Sequence, residues 1–92
     1  MPVVHPSSRP ELTSHVRVTF DRVREQHLLL APEAVSVLNP TGAAILELCD
    51  GQRSVAEIVQ ELRGRYEHVA PGDVAQFLTR LIGKRYLEVR DA

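Results

Sequence analysis

Residues Leu38–Gly51 read LNPTGAAILELCDG, and this stretch organises the rest of the chain. It reads as a short strand that breaks at Asn39 into a helix running from Pro40 to about Cys49. Asn39 is a good N-cap, because its side-chain oxygen can accept a free backbone N–H of the first turn. Pro40 suits the first helical position, where its missing N–H costs nothing. Gly51 can take the left-handed conformation that ends a helix. Between these signals stand Ala43, Ala44, Ile45, Leu46, Leu48 and Cys49, with only Thr41, Glu47 and Asp50 polar. A helix apolar nearly all round is a buried helix, and in so short a chain the other elements must pack on it.

Upstream, Val16, Val18 and Phe20 alternate with Arg17, Thr19 and Asp21, the period of a half-buried strand. A turn follows over Asp21 to Gln26. His27 to Leu30 reads as a second strand, ended by Pro32-Glu33, and Ala34 to Leu38 as a third. Short links between them predict an antiparallel meander. Before it, residues 1–14 carry Pro2, Pro6 and Pro10 around Ser7 and Ser8 and read as a flexible arm. Residues 15–92 are then the folded domain.

Downstream, Ser54 and Glu57 form the S-x-x-E capping box. Val55, Ile58, Val59, Leu62 and Tyr66 mark the buried face of a second helix. Asp73 caps a third, whose stripe is Val74, Phe77, Leu78, Leu81 and Ile82, with Gly83 at its end. Tyr86, Leu87 and Val89 offer a short closing strand. The fold class is α+β: a three-stranded antiparallel sheet followed by three helices, a winged helix-turn-helix-like arrangement.

The chain has 92 residues, 43% of them hydrophobic, and a formal net charge of −1. One domain of this size buries roughly 60–65% of its unfolded surface. The near-neutral charge is too weak to predict a polyanionic or polycationic partner, and no apolar run approaches the ~20 residues of a membrane span. A single cysteine excludes an intrachain disulfide and fits a reducing compartment, so cytoplasm is the expected location. His5, His15, His27 and His68 lack the helical i, i+4 spacing of a zinc site, and no metal or other cofactor is expected. Cys49 ends the most apolar helix beside Asp50, which would raise its pKa; it reads as a small buried hydrophobe rather than a nucleophile. No catalytic constellation stands out, and the chain reads as no enzyme.

Two binding readings remain. One is a winged-helix DNA-binding protein using Arg80, Lys84, Arg85 and Arg90, but acidic Asp73, Glu88 and Asp91 sit among them and the net charge is against it. The other is a peptide binder. A small sheet has open edges whose unpaired N–H and C=O groups can take an extended peptide as an added strand. If the third strand is such an edge, the groove between it and the third helix is the dock, and Phe77 or Leu81 either lines a pocket there or fills the core.

VRVTFDRVR at residues 16–24, LLLAPEAVSVLNPTGAAILELCDG at 28–51 and SVAEIVQEL at 54–62 together resemble the coenzyme PQQ synthesis protein D (PqqD) family. Gly42 stands where that pattern has alanine, and Ser14 where proline is common. The resemblance implies a precursor-peptide recognition element without catalytic activity. Such a protein acts as a peptide chaperone in pyrroloquinoline quinone biosynthesis. It binds the PqqA precursor peptide and presents it to the radical S-adenosylmethionine enzyme PqqE. Carried onto this chain, Ala34, Val35, Ser36 and Val37 would take the peptide by strand addition, with Phe77, Leu78, Arg80 and Leu81 on the helix side. Monomer and homodimer are both open, the arm and the Tyr86–Val89 segment being candidates for exchange between subunits.

Overall fold

A computed structural model of the chain describes residues 4–90. Its elements, in order, are β1 (Arg9–Leu12), β2 (Arg17–Asp21), β3 (Gln26–Ala31), β4 (Ala34–Leu38), α1 (Pro40–Glu47), α2 (Val55–Arg63), α3 (Pro71–Gly83) and β5 (Leu87–Arg90). The expected meander is β2-β3-β4, antiparallel throughout. With the three helices it makes the α+β, winged helix-turn-helix-like fold.

The sequence reading of residues 1–14 needs correction where they are described; Met1–Val3 lie outside the described residues. Arg9–Leu12 is a strand, paired antiparallel with β5, so that Pro10 faces Val89 and Leu12 faces Leu87. Two like-charged pairs face each other here, Arg9 with Arg90 and Glu11 with Glu88. The diagonal ion pair from Arg90 Nη2 to Glu11 Oε1, 2.8 Å, offsets that repulsion. Just before β1 the chain caps α2. The amides of Val55 and Ala56 donate to the carbonyls of Ser8 (2.9 Å) and Pro6 (3.0 Å), satisfying first-turn donors that have no partner inside a helix. Ser8 is buried there, and Thr13 is buried at the other end of β1, where its amide donates to the Tyr86 carbonyl. The two segments considered for exchange between subunits thus pair with each other within one chain.

Asn39 caps α1 as expected, its Oδ1 accepting from the Gly42 amide at 2.6 Å. The helix stops at Glu47, short of Cys49, and Leu48 is its C-cap. Gly51 does adopt a left-handed φ of +77°, in the loop beyond the helix. At α2 the capping box is complete: Ser54 Oγ accepts from the Glu57 amide at 3.2 Å, and Glu57 Oε1 from the Ser54 amide at 2.9 Å. This helix ends at Arg63, because Gly64 weakens its last turn, and Tyr66 falls in the link that follows. α3 starts earlier than Asp73 suggests. Its N-cap is Ala70, with no side-chain bond, and Pro71 occupies the first turn with Asp73.

The core joins Leu29 of the sheet to Leu46, Ile58, Leu62 and Leu78, all with under 2% of their surface exposed. One residue each from β3, α1 and α3 and two from α2 therefore meet at the centre. β4 lies at the rim of this packing and α3 beside it, with the start of α1 between them.

Candidate peptide-binding groove

β4 is an edge strand, because β3 covers only one of its sides. The ladder fixes where its backbone groups point. Ala31 and Ala34 pair directly across the turn Pro32-Glu33. A pair that closes so short a turn must itself be hydrogen-bonded, and antiparallel pairs then alternate between bonded and non-bonded. Ala34, Ser36 and Leu38 therefore bond to β3. Val35 and Val37 direct their N–H and C=O groups to the open side. Their side chains are also exposed, at 64% and 63%. A five-residue edge strand with no charge, proline or bulge is unprotected against strand addition.

Along that edge runs an open groove of about 850 Å³. Val37 and Leu38 of β4 form one wall, and Asp73, Phe77 and Arg80 of α3 the other. Asn39, Thr41, Gly42 and Ile45 make the floor where α1 begins, and Tyr66 to Ala70 of the α2–α3 link close one end. Apolar Ile45, Val69 and Phe77 lie among charges of both signs, Arg65 and Arg80 against Glu67 and Asp73, with His68 beside them. Such a surface suits a peptide that offers apolar side chains on one face and mixed polar groups beside them.

Of the eight nominated residues, Val37, Phe77 and Arg80 line this groove. Ala34, Val35 and Ser36 continue its strand wall beyond the concavity. Leu78 and Leu81 do not belong to it. They are 0% and 7% exposed and sit in the core. They point inward because the middle of the α3 stripe faces the other helices, whereas Phe77 stands at its margin. The floor residues Thr41 and Gly42, the link residues Tyr66 and Val69 and Asp73 in the first turn of α3 were not nominated. A strand-to-helix break beneath an edge strand was the signal for the first two; the link carried no periodic signal.

Cys49 lies elsewhere. It is 4% exposed, its Sγ–H donates to the Ile45 carbonyl at 3.2 Å, and burial, aided by the Asp50 charge, pushes its pKa up to about 12. A thiol so held is the opposite of an activated nucleophile. Asp50 itself is held below the usual carboxylate range by the amides of Gln52 and Arg53, with the Arg53 guanidinium a smaller influence. It organises the turn into α2. Among the described residues, no group of three or more His, Cys, Asp or Glu could hold a metal ion. No helix among them is long and apolar enough to cross a membrane.

Comparison with known proteins adds identity to this geometry. The family described as coenzyme PQQ synthesis protein D (PqqD) matches residues 26–87. A PqqA binding protein of Rhodopseudomonas palustris (strain BisB5) is 38% identical over 97% of this chain and 91% of its own length. The solution structure of the PqqD truncation of Methylobacterium extorquens PqqCD, described as a functional and stand-alone recognition element for ribosomally synthesised and post-translationally modified peptides, is 41% identical. It superposes with a TM-score of 0.66 over 86% of this chain and 87% of that one. PqqD from Xanthomonas campestris is 36% identical, with a TM-score of 0.55 over 84% and 89% of the two chains.

Proposed function

The chain belongs to the coenzyme PQQ synthesis protein D family, and on that premise we propose that it binds the PqqA precursor peptide as an added strand on β4 and presents it to the radical S-adenosylmethionine enzyme PqqE. The observation that carries this reading is the outward-facing backbone of Val35 and Val37 beside a groove that Ile45, Val69 and Phe77 make partly apolar. Backbone bonds to Val35 and Val37 supply affinity, with Ala34 and Ser36 holding them against β3. Alternate side chains of the peptide, which point to opposite faces of a strand, supply selectivity by entering the groove beside Phe77 and Arg80. Leu78 and Leu81 hold α3 in place behind them.

The role needs no cofactor and no catalytic residue in this chain; chemistry on the peptide is the work of the enzyme partner. Presentation requires capture followed by release, and a Kd of ~1 μM, about −8 kcal/mol, permits both. Monomer or homodimer, the acceptor is one β4 edge per chain, and the proposed compartment is the cytoplasm. Duplex DNA is a poorer ligand on charge, since the net charge is −1 and Asp73 lines the groove with Arg80.

The test is a titration of isotope-labelled protein with PqqA, followed by PqqE. The amides of Val35, Ser36 and Val37 and the signals of Phe77 and Arg80 are expected to shift on the first addition. Added PqqE should then broaden the spectrum of the peptide-bound protein. Shifts confined to other elements would refute strand addition at β4, and absence of broadening would refute presentation.

A further inference from the structure

We propose that Gly42 sets the depth of the groove by giving the Phe77 ring a notch to lie in, and so makes the site selective for a large apolar peptide side chain at that point. This rests on the peptide-binding reading above.

Glycine is the poorest helix former after proline, yet Gly42 stands in the first turn of α1. Its backbone does not require it: among the described glycines only Gly51 has a positive φ. What the position does require is the absence of a side chain. A Cβ built on Gly42 would lie 3.3 Å from Phe77 Cζ, 3.5 Å from Phe77 Cε1 and 3.1 Å from Asn39 Oδ1. The tip of the ring is therefore packed against the bare backbone of α1. Gly42 and Phe77 both line the groove, so the ring's seat decides how much room remains above it. Phe77 is half-buried and borders open space, so the ring can give way only toward that side. A methyl group at residue 42 would lift it by a few tenths of an ångström and make the floor shallower. Packed sites respond to a single methylene, and a bound side chain that fills the deep form would be overpacked in the shallow one.

The experiment compares four proteins: the natural chain, Gly42→Ala, Phe77→Leu, and the two substitutions together. Each is titrated with the Methylobacterium extorquens PqqA peptide and with variants in which its apolar residues are shortened singly to alanine. Gly42→Ala is expected to weaken the full peptide by about tenfold, while thermal stability stays level or rises because alanine favours the helix. In the Phe77→Leu background the same substitution should have no further effect, since leucine leaves room for the methyl. One shortened peptide should lose less affinity toward Gly42→Ala than toward the natural chain. Equal weakening in both backgrounds would overturn the proposal and assign the effect to the Asn39 cap; so would undiminished binding by Gly42→Ala. If the natural chain fails to bind any of these peptides, the peptide-binding reading fails, and this inference with it.

Discussion

The Gly51 amide donates to the Pro10 carbonyl oxygen at 3.0 Å, tying the loop after α1 to the first strand of the chain. Gly51 meets it with a φ of +77°, a conformation that costs an L-residue about 1–2 kcal/mol. A Cβ there would also lie 3.0 Å from the Glu11 side chain, displacing a carboxylate that pairs with Arg90. Gly51→Ala should therefore destabilise the fold by about 1–2 kcal/mol, read as a lower urea midpoint with an unchanged slope. Gly83→Ala is the control. Beyond its chain neighbours and its own helix backbone, no heavy atom lies within 4 Å of its would-be Cβ, and its stability should be equal or higher.

This tie also marks the limit of what the sequence makes legible. Periodicity is local, so the stripe Val55, Ile58, Val59, Leu62 announced α2, and alternation announced the first and third strands of the meander. β1 had neither signal. Arg9–Leu12 contains Pro10, and its partner β5 lies at the other end of the chain; such a pairing is set by tertiary contact. The same holds within the groove. A stripe identifies the face of α3 that is not solvated, but Leu78 and Leu81 at its centre look the same in sequence as Phe77 at its margin. The Tyr66–Ala70 link enters the groove through the path of the chain alone. Strand order was different: a meander leaves its third strand at an edge, so β4 was legible as an open edge, the proposed acceptor.

Cys49 makes the stability of the protein sensitive to alkali. Its folded pKa of about 12 lies above the ordinary 9.0, so the native state keeps a proton that the unfolded state releases. Stability is then undiminished below pH 9 and falls as pH rises toward 12, by at most about 1.4 kcal/mol per pH unit. Cys49→Ala should flatten this decline between pH 9 and 10.5 in urea titrations, whatever its cost at neutral pH. A matching readout is thiol labelling at pH 8, which should proceed only on unfolding.

The acid limb is set in part by the turn into α2. Glu57 is held below its ordinary carboxylate range chiefly by the Ser54 amide, and Asp50 by the amides of Gln52 and Arg53. Depressed carboxylates contribute stability that is present above their unfolded pKa and lost as pH falls through the folded one. Ser54→Ala removes half of the capping box and should cost about 1 kcal/mol at pH 7. Glu57→Gln should reduce the fall in stability between pH 5 and 3, measured by denaturation at fixed pH.

Two neighbouring proline substitutions separate peptide binding from folding. The Val35 N–H faces the open edge, so Val35→Pro removes no bond of the sheet, and Ala34 before it is already extended, as a residue preceding proline must be. An edge strand tolerates such a proline. The variant should keep nearly its full unfolding midpoint while PqqA binding weakens about two- to tenfold, the worth of one hydrogen bond. Ser36→Pro acts on the other side. It deletes the donor to Leu29 of β3, leaves a carbonyl beside the core unsatisfied, and should cost about 1–3 kcal/mol of stability. Calorimetric titration and urea unfolding of both variants check the pair. If Val35→Pro binds as the natural chain does, the peptide does not add to β4 at that residue.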